Sequence, residues 1–237
     1  MTDAAGYNIS FVLPMFNESG NIAETVAGIS SLAGTICADY EIVVVDDAST
    51  DGSGDLVDRL AQNDPHIKPI RLKANTLFGG ALKAGLKHAS KDIVVYTDSD
   101  FPAKEDDIKK ALEVLNGADI VTAYSLVIKD KSLKRIVMSK VYNFLVRILF
   151  GLNIKDINSG LKLYRRHVLD GMDLKSNSPF VDAEIFAEAA KKNRVIKQYG
   201  LIFQPRANGN SAISRMSVVA ATFRDMLKYK LKSALSR

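Results

Sequence analysis

The chain carries one cysteine, Cys37, and no tryptophan among its 237 residues. A lone thiol excludes an internal disulfide and a cysteine-built zinc site, and it suits a reducing compartment. The three histidines, His66, His88 and His167, have no spacing that suggests a shared metal. No run of eighteen uninterrupted apolar residues exists; residues 141–152 come nearest and are broken by Asn143 and Arg147, too short and too polar for a membrane span. The opening Met-Thr-Asp-Ala-Ala-Gly has neither a basic nor an apolar segment, so no signal peptide is expected. Low-complexity tracts and internal repeats are also missing.

What is present is an ordinary globular composition, 47% hydrophobic and 25% charged, long enough for one large domain with a sizeable core. The net charge is +5 and uneven: the Asp-rich clusters precede position 110, while residues 224–237 hold five basic residues against one acid. A basic end of this kind favours an anionic surface. Nucleic acid would account for the charge but would leave the acidic clusters idle, so it is not expected as a partner.

Residues 8–125 alternate strand-like and helix-like segments. Strands are expected at 8–13, 41–45, 67–72, 93–97 and 118–122, with helices at 21–32, 54–62, 80–88 and 105–115. This order implies an α/β fold with a mostly parallel central sheet flanked by helices. Further on, helices are expected at 133–150, 179–191 and 217–236, and strands at 160–164 and 195–203. The division expected is a catalytic domain at 1–215 followed by a basic amphipathic helix at 216–237.

In such sheets ligands bind beyond the carboxyl ends of the strands. Three of those ends are chemically loaded: Pro14, Phe16 and Glu18 after the first strand; Asp46 and Asp47 after the second; Asp98-Ser99-Asp100 after the fourth. Asp98 and Asp100 are close enough to repel unless a cation lies between them, and hard oxygen ligands suit Mg²⁺ or Mn²⁺ bound with substrate phosphates. Asp46, Asp47 and the serines that follow offer acceptors to a ribose or a base. Gly79 and Gly80 open a helix, where the backbone can approach a phosphate or simply a packed neighbour. No Walker Gly-Lys-Ser/Thr ending is present, nor does a dinucleotide fingerprint follow the first strand.

Taken together, Leu13-Pro14-Met15-Phe16-Asn17-Glu18, Val45-Asp46-Asp47-Ala48-Ser49, Gly79-Gly80-Ala81-Leu82-Lys83-Ala84-Gly85 and Asp98-Ser99-Asp100 resemble, in order and spacing, the family 2 inverting glycosyltransferases with the GT-A (Rossmann-like) fold. Asp156-Ile157-Asn158-Ser159-Gly160 and the Arg206–Ser211 stretch are similar to the polyprenyl-phosphate branch, which includes dolichol-phosphate mannose and glucose synthases. The resemblance implies that Pro14, Phe16, Glu18, Asp46, Asp47, Gly79 and Asp98 line a nucleotide-sugar, with Arg206 and Ser211 over its diphosphate. It implies Asp98 and Asp100 at an Mg²⁺ or Mn²⁺ ion. Arg135 and Ser139, one helical turn apart, would grip an acceptor phosphate. Where the family often has a further polar residue after the acidic motif, this chain has Pro102.

The reaction implied moves a hexose from GDP-mannose or a UDP-sugar to a polyprenyl phosphate, dolichyl or undecaprenyl, with inversion. Transfer to a glycan or small alcohol, and non-catalytic nucleotide-sugar binding, stay open beside it. An alcohol acceptor would need a base, for which Asp156, Asp182 and Glu184 are available; Asp156, ahead of a Ser-Gly turn, is favoured. Asp182 equally suits the dipole at a helix start. Val219, Phe223, Met226, Leu227, Leu231, Ala234 and Leu235 form one stripe on the last helix, with Arg224, Lys228 and Lys232 outside it. An interfacial helix or a packed terminal helix fits that pattern. A peripheral position at the cytoplasmic face of a membrane is expected, with room for a homo-oligomer or a membrane partner protein.

Overall fold

The computed structural model describes residues 6–99, 105–126, 133–202 and 216–235, without the side chains of 133–135 and 234–235. Seven strands form one sheet: β1 (Tyr7–Met15), β2 (Cys37–Asp46), β3 (Ile67–Arg71), β4 (Ile93–Thr97), β5 (Ile120–Ser125), β6 (Leu161–Arg165) and β7 (Ile196–Leu201). Their order is β3-β2-β1-β4-β6-β5-β7. All neighbours are parallel except β6, which runs antiparallel to both β4 and β5. The expected mostly parallel α/β sheet is therefore found, with one reversed strand that the alternation did not reveal.

The helices are α1 (Ile22–Ile36), α2 (Ser53–Asn63), α3 (Leu77–His88), α4 (Glu105–Leu115), α5 (Leu133–Phe150), the short α6 (Arg166–Leu169), α7 (Val181–Lys191) and α8 (Met216–Leu235). Both faces of the sheet are covered, which is why Ile42, Val43, Val44 and Val45 are all buried in succession. On one face Phe11, Leu13, Val44, Val95 and Leu163 pack with α1, α2 and α4. On the other, Val12, Val43, Val45 and Tyr96 pack with α3 and α7, and with Val146 of α5 and Met226 of α8.

Differences from expectation are local. α3 begins at Leu77, not at the glycines, so Gly79 and Gly80 lie inside its first turn. Asn21 occupies the N-cap position of α1, but its side-chain amide donates to Glu18 Oε2 at 2.7 Å instead of capping the helix. The apolar stripe of α8 does not serve one surface. Met226 is buried and Phe223 packs on the core, whereas Leu227 and Leu231 are 56% and 66% exposed. Helical period alone defines a stripe; its width here spans both a core contact and a free edge.

Leu163 touches the core from the centre of the reversed strand and is fully buried. Leu163→Ala is expected to cost about 2–5 kcal/mol of stability, measured by urea unfolding. A loss within error would contradict the placement of β6 inside the sheet.

Candidate active site

The carboxyl ends of β1, β2 and β4 meet at one edge, and β1 and β4 are where the order of connections reverses. The loops after β1 and β2 are locked to each other. Asn17 N–H donates to Ser49 Oγ at 2.9 Å, and Thr50 N–H donates to Asn17 Oδ1 at 2.8 Å. Glu18 N–H donates to Ser53 Oγ at 2.9 Å. Asp51 accepts from the backbone of Ser19 and Ser53, each at 3.0 Å, and from the Ser53 hydroxyl. Partial burial opposes its ionisation, but these hydrogen bonds prevail and pull its carboxyl down to about 2.

Asp46 and Asp47 have different tasks. Asp46 is buried and accepts from Ser49 N–H at 2.9 Å, which closes the loop at its base. Asp47 is 3% exposed and accepts from both the N–H and the hydroxyl of Thr76, at 2.7 and 2.8 Å. Burial raises its carboxyl above the ordinary value despite those bonds. Asp47 thereby ties the β2 loop to the start of α3. Asn17, Ala48 and Leu77, one in each of these three segments, hold left-handed backbone at φ of 58°, 60° and 63°. Such conformations cost about 1–3 kcal/mol each and persist where surrounding structure imposes them, commonly at functional sites.

Gly79 is explained by packing. Its N–H donates to Asn177 O at 2.8 Å, and a Cβ there would lie 2.6 Å from the Asn177 carbonyl carbon. The amide is thus engaged by protein, which favours the packed neighbour of the two roles open to this glycine. Pro14, Phe16 and Glu18 line the same edge and are each half-buried.

The third wall comes from β6. Being antiparallel, it starts where β4 ends: Leu161 pairs with Thr97, and Asp98 N–H donates to Gly160 O at 3.3 Å. This brings the turn holding Asp156, Asn158 and Ser159 against Asp98. A Cβ on residue 160 would meet Asp98 Oδ2 at 2.6 Å, so only glycine leaves room for that carboxylate. Asp98 Oδ1 accepts from the Tyr96 hydroxyl. Asp156 is half-buried in the turn, and its charge, like that of Asp98, acts on Asp182 at the start of α7.

Asp182 is buried and pairs with Lys162 at 3.0 Å. Glu184, the other acid considered as a base, is turned away: it accepts from the N–H groups of Lys175 and Ser176, both at 2.9 Å. Ser139 is exposed on α5, one turn after Arg135, whose side chain lies outside the described residues. Asp100, Pro102, Arg206 and Ser211 lie outside them as well. Sequence reasoning missed Lys162, Tyr96 and Thr76. A lysine in the middle of an apolar strand, Leu161-Lys162-Leu163-Tyr164, was the available signal for the first.

Burial pushes Asp182 up to about 6 against the pull of Lys162, and Asp98 and Asp156 add to the rise. The folded value lies above the unfolded one, so this group's contribution to stability is full below about pH 4 and is lost as pH rises through about 6. Urea unfolding from about pH 4.5 to 7.5 should therefore show Asp182→Asn gaining on the unaltered chain as pH rises. A difference independent of pH would contradict the placement of Asp182.

The model of "Glycosyl transferase family 2" matches residues 10–172. Polyprenol monophosphomannose synthase of Mycolicibacterium smegmatis is 28% identical over 95% of this chain and 88% of its own length. Undecaprenyl-phosphate 4-deoxy-4-formamido-L-arabinose transferase of Erwinia tasmaniensis is 29% identical over 92% of this chain and 67% of its own. Glycosyltransferase AglD of Haloferax volcanii is 28% identical over 86% of this chain, which spans only 34% of AglD. Glucosyl-3-phosphoglycerate synthase from Mycobacterium tuberculosis, solved with Mn²⁺, UDP and phosphoglyceric acid, has a TM-score of 0.73 at 20% identity, over 96% of this chain and 78% of that one. The fold is GT-A, and the chain belongs to glycosyl transferase family 2.

Proposed function

We propose that the chain transfers a hexose from a nucleoside-diphosphate sugar, GDP-mannose or a UDP-sugar, to a polyprenyl phosphate at a membrane surface, with inversion at the anomeric carbon. The observation that carries the acceptor is an exposed apolar stripe on α5. On α5, Val137, Val141, Phe144 and Ile148 are exposed along one stripe, Phe144 and Ile148 at 61% and 63%. Ser139 lies on the same helix, on the side away from the stripe. α8 adjoins its far end: the Phe150 and Tyr229 rings stand 5.5 Å apart edge to face, and Lys230 reaches the Leu149 carbonyl. Exposed Leu227 and Leu231 add to the apolar surface, and Lys140, Arg147, Arg224 and Lys228 are exposed on the same two helices. Such a surface suits a bilayer with anionic headgroups, where each basic residue contributes about 1 kcal/mol. A phosphate held by Arg135 and Ser139 would lie across α5 from that stripe, with the stripe set against the bilayer. The names of the Mycolicibacterium and Erwinia relatives, which pair a sugar with a polyprenol or undecaprenyl phosphate, support the same acceptor. Among the described residues no helix is long and apolar enough to cross a membrane, so peripheral attachment is the form proposed, with residues 216–237 as the helix appended to a catalytic domain at 1–215.

Pro14, Phe16, Glu18 and Asp47 are assigned to the nucleoside, Asp98 to the diphosphate side, and Arg206 and Ser211 to the diphosphate on their motif alone. The residues fit a divalent ion. Asp98 offers a carboxylate at a strand end beside the cleared space of Gly160, and Asp100 follows in the same motif. Mg²⁺ or Mn²⁺ is commonly held by one or two carboxylates plus substrate phosphates. When bound it would offset the charge that grows on the departing diphosphate. The acceptor phosphate oxygen forms the new bond to the anomeric carbon, and the bond from that carbon to the donor phosphate breaks with its electron pair on the nucleoside diphosphate. A phosphate is already an anion near neutral pH, so no proton need be removed, and Asp156 shapes the acceptor side instead of acting as a base.

Two outcomes follow. Radiolabelled donors offered with undecaprenyl or dolichyl phosphate and Mn²⁺ should place label in an organic-extractable, mild-acid-labile product. Asp98→Ala should lower that rate by about a hundredfold or more. Label appearing only in water-soluble glycan would overturn the acceptor. In flotation with vesicles containing phosphatidylglycerol, the chain should bind, and Phe144→Ser with Ile148→Ser should weaken binding by about tenfold or more while the chain stays folded.

A further inference from the structure

Neither the fold nor the proposed reaction has yet used Lys162. It stands in β6 between buried Leu161 and Leu163, and it is itself fully buried. Its ammonium pairs with Asp182 Oδ2 at 3.0 Å and donates to the Ser159 carbonyl at 2.6 Å. It also lies 4.8 Å from the centroid of the Tyr96 ring, close enough for a cation–π contact. The fold alone does not call for this pair. Burying two charges is costly, and an apolar pair of similar volume commonly folds as well or better. Around Asp182, α7 already buries Val181, Ala183, Ile185 and Phe186.

The three contacts instead converge on one carboxylate. The Ser159 carbonyl belongs to the turn that ends at Gly160, against which Asp98 Oδ2 lies. Tyr96 presents its hydroxyl to Asp98 Oδ1. Asp182 fixes the ammonium from the third side. Oδ1 of Asp98 is thereby bonded by the ring that Lys162 touches, and Oδ2 lies against the turn that Lys162 holds. Protein carboxylates that meet a metal or phosphate are typically oriented by such partners, and their loss weakens metal binding.

We propose that Lys162, held by Asp182, is a positioning residue for Asp98: it fixes the Ser159–Gly160 turn and the Tyr96 ring, so that the Asp98 carboxylate keeps the direction needed by the donor diphosphate and its divalent cation. The inference rests on the donor site proposed above. It differs from a purely structural role in its consequence, since loss of the pair acts on metal-dependent nucleotide binding while stability and metal-free binding are kept.

The test uses calorimetric binding of UDP and GDP to the full chain, with and without Mn²⁺, beside the melting temperature. Lys162→Met alone would strand Asp182, so the variant is Lys162→Met with Asp182→Asn. It should melt near the unaltered chain and bind nucleoside diphosphate without metal within about twofold, while the gain in affinity from Mn²⁺ falls by about 10- to 100-fold. Tyr96→Phe, which removes one hydroxyl and keeps the packing, should reduce the same gain in the same direction, and it decides the matter if the double variant does not fold. A Mn²⁺ gain unchanged in Tyr96→Phe, or in a folded double variant, overturns the inference and leaves the donor site standing. If the unaltered chain binds neither nucleotide with Mn²⁺, the donor site itself is overturned, and this inference with it.

Discussion

The reversed direction of β6 is the constraint on which the site depends. A parallel strand between β4 and β5 would begin at the opposite edge of the sheet, and the turn before it would lie far from Asp98. Antiparallel pairing sets Leu161 beside Thr97 and so delivers residues 156–160 to the carboxyl end of β4. The same register places Lys162 opposite Tyr96. One choice of strand direction thus supplies the third wall of the cleft, the clearance at Gly160 and the buried ammonium beneath Asp98.

The other two walls are made rigid at the expense of local strain. Asn17, Ala48 and Leu77 hold left-handed backbone, and side chains of the same loops offset its cost through short-range bonds: Ser49 to Asn17, Ser53 to Glu18, Thr76 to Asp47. Groups that must meet a nucleotide are better fixed before it arrives, since less ordering is then left to binding. Two adjacent acids divide the labour. Asp46 closes its own loop, whereas Asp47 spans to α3.

Much of this was legible in the sequence, for identifiable reasons. Continuous branched apolar residues at 42–45 marked a strand covered on both faces, and acids directly after it marked a loaded strand end. The motifs around Asp46, Asp98 and Asp156 carried the family, which the match over residues 10–172 bears out. Strand direction was not legible, because β6 has the same apolar pattern whichever way it runs. Nor was the use of Gly79: a glycine in a first helical turn looks alike whether a phosphate or the Asn177 carbonyl approaches it. The α8 sequence shows an apolar stripe, but periodicity cannot say which part of a stripe meets the core. Lys162 was overlooked because its motif is recognised by the residues around it, although a charge inside an apolar strand is itself a signal that demands a buried partner.

Charge balance links these parts. Asp98 and Asp156 raise the proton affinity of Asp182, and Lys162 lowers it. Carboxylates are thus gathered at this edge of the sheet. Such a gathering suits the divalent cation proposed for the donor site. Exposed lysines and arginines on α5 and α8, among them Lys140, Arg147, Arg224 and Lys228, suit the attraction of anions to that surface. In the proposed function, a chain that is basic overall but acidic at its strand edge would recruit two phosphates by different means, one through a surface field and one through a shared metal. A uniform distribution of the same +5 would do neither.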